Sequence, residues 1–227
     1  MVNPPIGGEQ RWQAEMEKIV NDFTINIATA NGTGSQSANL ILLQTLFDMG
    51  IPVSGKNLFP SNISGLPTWY IVRLSEKGYQ APGDRTHIQI LVNPATWEED
   101  LASLEPGTVV IWNMDSKMPM EREDVISYPV PMTKIARKLN PKLARMIANV
   151  VYVGVLAELL GMDQEVLEAA ISKQFGGKAK AIELNAEAAR LGRAYCAEEL
   201  TKSDAYAVES REIEEGGFFI EGNEAIA

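Results

Sequence analysis

The chain has 227 residues, 45% of them hydrophobic and 22% charged, which suits one large domain or two small ones and excludes wholesale disorder and fibrous repeats. Thirty acidic against twenty basic residues give a formal charge of -10, a balance that repels phosphate backbones and anionic lipid and argues against nucleic acid or a membrane as partner. One cysteine, Cys196, and one histidine, His87, exclude an intrachain disulfide, a zinc or iron–sulfur site and a Cys–His nucleophile pair built by this chain alone.

Residues 1–22 read as an N-terminal extension. It opens on the Pro/Gly-rich run MVNPPIGGEQ, after which Trp12, Met16, Ile19 and Val20 recur at helical spacing and predict a short amphipathic helix. Its acids and its lack of an apolar run exclude a signal or transit peptide. The longest apolar stretch, 147–160, is broken by Asn149 and Glu158 and falls short of the roughly 20 residues that span a bilayer, so a cytoplasmic protein is expected.

Residues 23–30 (FTINIATA) read as a strand running into the turn Asn31-Gly32-Thr33-Gly34-Ser35-Gln36-Ser37, followed by a helix over 38–49 that Gly50 stops. A short strand over 51–54 precedes a loop-like stretch, 55–66 (GKNLFPSNISGL). Strands follow at 68–74 and 87–92. A capping box at Thr96-Trp97-Glu98-Glu99 opens a helix to 104, and another strand covers 108–112. Apolar residues three and four apart then predict helices over 133–139, 142–160, 163–175 and 179–199. The acidic stretch 201–217 reads as a linker, and 218–227 as the start of a further unit. The strand–helix–strand order predicts an α/β fold: a three-layer α/β/α sandwich with a Rossmann-like, mostly parallel sheet and a helical second half.

The glycine turn is the sharpest local signal. Gly32 and Gly34 permit a tight turn or close approach to a ligand, and the helix behind them offers free N–H groups to a phosphate or carboxylate. The same Gly-x-Gly also occurs where a turn is simply tight, and the two readings stand level. A dinucleotide fingerprint would place Gly or Ala at Ser37 and an acid near Ser54, Gly55 and Lys56. Lys56 suits a phosphate, which leaves open an NADP-type site or a phosphate-bearing acyl carrier; a solvated surface charge is the plainer reading. His87 has no sequence-adjacent catalytic partner, Cys196 reads as a small core residue, the nine methionines as gap fillers, and Arg73 as an anion contact or one half of an ion pair.

Three segments taken together carry a resemblance: Gly32-Thr33-Gly34-Ser35-Gln36-Ser37-Ala38-Asn39, the run from Val53 through Lys56 and Asn57 to Asn62, and the run from Gly65 through Trp69 to Arg73. With Asn149, the Gly154 to Gly161 helix end and Asn185, they resemble the γ domain of 2-oxoacid:ferredoxin oxidoreductases, in the version fused to the front of the α subunit in 2-oxoglutarate-type enzymes. The resemblance covers roughly residues 23–200. Residues 218–227 look like the opening of that α subunit's pyrimidine-binding domain. The resemblance implies a complex that oxidatively decarboxylates a 2-oxoacid with thiamine diphosphate, coenzyme A and ferredoxin, the thiamine site built by the α and β parts and the iron–sulfur cluster lying in β or an added ferredoxin-like part.

On that resemblance the chain is a non-catalytic domain packing beside α and β. Gly32, Thr33, Gly34, Ser35, Gln36, Ser37, Lys56 and Asn57 are then expected to contact coenzyme A or a phosphate. Many γ domains carry more glycines in the turn, where this chain has Ser35 and Ser37. The rival expectations are a free-standing NADP-binding reductase and a purely structural scaffold.

Overall fold

The computed structural model describes residues 17–30, 32–58 and 67–212. Ile19–Val20 forms a two-residue strand (β1) and Phe23–Ala30 the first long one (β2). Ser35–Asp48 is a helix (α1), followed by the strands Val53–Leu58 (β3), Pro67–Leu74 (β4) and Ile88–Leu91 (β5). Trp97–Ala102 is a short helix (α2), and Val109–Asn113 (β6) and Ile126–Val130 (β7) complete the main sheet. Four helices follow, Met132–Leu139 (α3), Ala144–Leu160 (α4), Gln164–Gln174 (α5) and Ala179–Glu199 (α6), and then the strand Tyr206–Ala207 (β8).

The main sheet has the order β3-β4-β2-β5-β6-β7. β2, β5, β6 and β7 run parallel, while β4 pairs antiparallel with both β2 and β3. The central strands β2 and β5 are buried almost throughout on both faces, with Thr24, Asn26 and Gln89 among the residues turned away from the large core, whereas β4 alternates buried with half-buried residues. Ile25, Ile27, Val72, Ile88, Ile90 and Ile111 face the large core beneath α1, α4 and α6. On the opposite face Ala28, Leu91 and Val110 pack with Trp97 and Leu104, and the rings of Trp97 and Trp112 meet edge to face at 5.8 Å. The α/β class and the mostly parallel sheet are as expected. The third layer is thin among the described residues, being made chiefly by α2 and the chain that follows β6.

α4 and α6 touch backbone to backbone. A Cβ on Gly154 would lie 2.0 Å from the Ala189 carbonyl oxygen, and one on Gly192 2.3 Å from that of Val151. Only glycine fits at either crossing point, and the alanines of α6 complete the close approach.

Several expectations need correction. Of the segment expected as an N-terminal helix, residues 12–16 lie outside the described ones, while Ile19 and Val20 form a strand parallel to β8. The expected loop 55–66 contributes its first four residues to β3, because they pair with 69–72 across a hairpin that periodicity could not reveal; residues 59–66 lie outside the described ones. The capping box does not form. Asn93 Oδ1 accepts the Ala95 N–H instead and starts a 3₁₀ turn that leads into α2. β7 escaped notice although Ile126, Tyr128 and Val130 alternate with Ser127 and Pro129, because a proline inside a run argues against a strand; here it stands on the edge strand of the sheet, where it is tolerated.

The acidic stretch expected as a linker packs onto the domain as far as it is described. Asp204, Tyr206 and Val208 are buried at strand spacing, the Val208 N–H donates to Leu160 O at 2.8 Å, and the Arg211 N–H to Met49 O at 2.9 Å. Residues 213–227, with the expected start of a further unit, lie outside the described residues.

Candidate functional site

The carboxyl ends of β2, β5, β6 and β7 lie along one edge of the sheet. From β2 the chain leaves through α1 toward β3 on one side, while β5, β6 and β7 extend on the other. The connections also cover opposite faces, α1 the large core and α2 the small one. The glycine turn therefore sits where strand order reverses, the place at which open α/β sheets present a crevice for ligands.

Gly34 is the N-cap of α1 in a left-handed conformation, φ 82, and no side chain caps the first turn of the helix. A Cβ there would also press on Met146 of α4 at 3.3 Å, so both backbone angle and packing call for glycine. α4 holds the turn from behind: Asn149 Nδ2 donates to Thr33 O at 2.7 Å, and the Thr33 hydroxyl donates to Ala30 O at 2.7 Å. One turn further on, the Tyr152 hydroxyl donates to Asn39 Oδ1 at 2.7 Å, and burial raises the pKa of that phenol. The turn is thus tied to α4 and to the end of β2 by these hydrogen bonds.

Gly34 and Ser37 open into a groove of about 670 Å³ with Leu143 and Met146 of the α3–α4 region, Phe175 and Lys180 among its walls. The groove is predominantly apolar with a polar rim, and its volume lies in the range of small-molecule and cofactor sites. Met146 is 53% exposed and Leu143 42%. The methionines are accordingly of two kinds: Met49, Met132 and Met162 fill the core as expected, while Met114 and Met146 stand exposed.

Thr33 and Ser35 are buried, Gly34 and Ser37 half-buried, and Gly32 and Gln36 exposed. Lys56 and Asn57 are not brought to it. They stand on β3, opposite Ile71 and Tyr70, with β4 between them and β2. Lys56 lies on the sheet face away from α1, in line with Ile71 and Asn26, and neither residue lines the groove. The reason is the hairpin: β3 is an outer strand rather than the neighbour of β2, so the dinucleotide logic that singled out Lys56 has no geometry to act through.

The other singled-out residues have structural roles. His87 Nδ1 accepts the Thr24 N–H at 3.0 Å and its ring meets Tyr206 edge-on at 5.7 Å; burial, then Arg85 and Arg73, push its pKa down. Arg73 pairs with Asp22. Cys196 is buried, and burial pushes its thiol up to about 11, which leaves it protonated and inert. Sequence reasoning missed a second groove of about 660 Å³ at the same sheet edge, between the turn after β6 and α3, lined by Lys117, Lys134, Arg137 and Lys138. Only the contact between two segments remote in sequence assembles it. Among the described residues no group of three or more His, Cys, Asp or Glu is placed to hold a metal ion. No single described helix is long and apolar enough to cross a membrane, and α3 with α4 passes that test only as a pair bent by 118°.

Comparison with known proteins gives a consistent result. The signature of the family described as pyruvate ferredoxin/flavodoxin oxidoreductase matches residues 24–195. The subunit alpha of 2-oxoacid:ferredoxin oxidoreductase 2 from Aeropyrum pernix is 22% identical over 221 residues, covering 78% of this chain and 34% of that one. Among solved structures, a 2-oxoglutarate:ferredoxin oxidoreductase from Magnetococcus marinus, with 2-oxoglutarate, coenzyme A and succinyl-CoA bound, superposes with a TM-score of 0.77 at 28% identity. That match covers 85% of this chain and 34% of the other, so the chain spans about a third of the length of these two relatives. A keto/oxoacid ferredoxin oxidoreductase gamma subunit from Geobacter sulfurreducens shares the fold across 98% of its own length, with a TM-score of 0.63 at 18% identity over 77% of this chain. The glycine turn and all but the outermost residues of the six-stranded sheet and the helical second half fall within the matched span, and the chain belongs to the pyruvate ferredoxin/flavodoxin oxidoreductase family.

Proposed function

We propose that this chain is the γ-type portion of a cytoplasmic 2-oxoacid:ferredoxin oxidoreductase, most specifically one acting on 2-oxoglutarate, and that it packs beside α and β parts that hold thiamine diphosphate and an iron–sulfur cluster. The domain itself carries no catalytic residue. Its glycine turn, Gly32 to Ser37, contributes to the coenzyme A pocket, with the predominantly apolar groove receiving the flexible arm of the acyl acceptor. The observation that carries this reading is the rigid, uncapped turn at the reversal point of the sheet, opening into that groove. The choice of 2-oxoglutarate is supported by the 28% identity to a 2-oxoglutarate:ferredoxin oxidoreductase solved with 2-oxoglutarate bound.

The rival reading, a free-standing NADP-dependent reductase, is disfavoured because β3 is separated from β2 by β4, which removes Lys56 from the position where a 2′-phosphate would sit.

The test uses the assembled complex. Coenzyme A-dependent reduction of ferredoxin by 2-oxoglutarate is expected from the complex and not from the 227-residue chain alone. Met146→Glu, which puts a charge at the mouth of the groove, should raise the KM for coenzyme A, while Lys56→Glu should leave it unchanged. Turnover by the isolated chain, or a coenzyme A KM that responds to Lys56 and not to Met146, would overturn the proposal.

A further inference from the structure

The second groove has a chemistry of its own. The turn that follows β6 supplies Met114, Asp115 and Lys117, and α3 supplies Thr133, Lys134, Arg137 and Lys138. Its four cations, all exposed, form no ion pair among the described residues, although the chain carries a formal charge of -10 and thirty carboxylates with which they could pair. Like charges gathered on one concave surface repel one another, and within the lining only Asp115 offsets them.

The lone acid in the lining is already engaged. Asp115 Oδ2 accepts the Lys134 N–H at 2.7 Å and caps the first turn of α3, leaving the groove with an excess of positive charge. Thr133 Oγ1 accepts from Asn113 Nδ2 at 3.0 Å, so its own hydroxyl hydrogen is available to a further acceptor. Lys117 holds a left-handed backbone, φ 57, uncommon for a side chain other than glycine or asparagine, and stands on the rim opposite α3. Met114, 44% exposed, adds a flexible apolar surface beside the cations.

We propose that this groove binds the phosphate groups of a nucleoside diphosphate-sized ligand. Arg137 and the three lysines engage the phosphate oxygens, the Thr133 hydroxyl donates to one of them, and Met114 packs on the ring or aliphatic portion. The volume, about 660 Å³, accommodates such a molecule, and the groove lies along the carboxyl edge of the parallel strands. The proposal does not rest on the coenzyme A reading. Lys134, Arg137 and Lys138 line this groove, whereas Leu139 and Asn140 line the one at the glycine turn.

Calorimetric titration of the full 227-residue chain with ADP and with inorganic pyrophosphate tests it. Saturable binding of one ADP is expected at low ionic strength, weakening as salt rises to about 0.15 M. The double variant Lys134→Glu/Arg137→Glu should weaken ADP binding by at least about tenfold, the loss that follows from reversing two phosphate-facing cations. Lys117→Gly should weaken it while leaving the unfolding midpoint unchanged or raised, because glycine suits the backbone there. Lys77→Glu, on a distant turn, should have no effect. Absence of saturable ADP binding, or binding that survives the double variant, overturns the site. Pyrophosphate binding as tight as ADP overturns the assignment of Met114 to the nucleoside portion. The complex's coenzyme A KM, unaffected by any of these outcomes, judges the other groove separately.

Discussion

The hydroxyl of Tyr128 on β7 donates a 2.7 Å hydrogen bond to Asp204 Oδ2, joining residues 76 positions apart. The same hydroxyl accepts the Ser203 N–H at 2.8 Å, and Asp204 Oδ1 receives both Lys202 Nζ and the Tyr206 N–H. One buried carboxylate thus fastens the segment after α6 to the edge of the sheet. Burial pushes the phenol up to about 12, so it remains a neutral donor at every ordinary pH. Tyr128→Phe leaves that carboxylate short of a donor and should destabilise the chain by about 2 kcal/mol, the usual loss for a hydrogen bond to a buried charge. Urea unfolding followed by circular dichroism measures it, and an unchanged midpoint would mean that the strap is not coupled to global stability.

Gly34 separates two kinds of strain. Gly34→Ala forces a Cβ into a left-handed conformation, at about 1–2 kcal/mol, and adds the 3.3 Å approach to Met146. A loss of roughly 1–3 kcal/mol is expected in total. The near atom is the Met146 Cβ, which alanine would keep, so in a double-mutant cycle it is Met146→Gly that should relieve the contact part and leave the backbone part in place. If the double variant recovered full stability, the backbone angle would carry none of the demand for glycine.

These two anchors also mark what the chain disclosed in advance. The β2–turn–α1 unit was legible because its signals are local: an apolar strand, two glycines, then a helical period ended by Gly50, whose N–H donates to Phe47 O while that of Ile51 donates to Leu46 O. α6 likewise spans the predicted limits, 179–199. What escaped depends on partners remote in sequence. β3 reads as loop until β4 pairs with it, β7 reads as irregular because of Pro129, and β8 looks acidic and solvated until Asp204 meets Tyr128. The glycine turn could be named from spacing alone, but its groove could not, since Leu143, Phe175 and Lys180 converge only through the packing of α4 and α6. Lys56 failed for the same reason in reverse: it is near the turn in sequence and two strands away in the sheet.

The α4–α6 crossing makes a stricter demand than any turn. With the Ala189 carbonyl oxygen 2.0 Å from the place a Cβ would occupy, Gly154→Ala cannot be absorbed by a side-chain rotation, and the two helices must move apart. The expected loss is about 3 kcal/mol or more, the upper range for overpacking a core. Gly161→Ala is the control. It carries a left-handed φ of 77 with nothing within 4 Å of the added carbon, so its loss should be confined to backbone strain of about 1–2 kcal/mol. Thermal unfolding of the two variants side by side decides whether contact or conformation dominates, and equal losses would contradict the close crossing.

His87 gives the chain an acid-side sensitivity whose sign follows from its surroundings. In the folded state Nδ1 accepts the Thr24 N–H, an arrangement that protonation of Nδ1 destroys. Burial is the largest cause of the lowered pKa, followed by the positive charges of Arg85 and Arg73, with Asp22 and Glu105 opposing. Because the folded pKa lies below the unfolded value of 6.5, the unfolded chain binds the proton more readily. The contribution of neutral His87 is therefore fully present above pH 6.5 and is lost as pH falls from there toward the folded pKa. His87→Gln should flatten this part of the stability profile between pH 7.5 and 5 while lowering stability at neutral pH, where the strand-opening hydrogen bond is perturbed. Urea midpoints measured across that window provide the check. A wild-type profile that stayed level from pH 7.5 to 5, or one that the substitution left unaltered, would remove His87 as the source of the acid response.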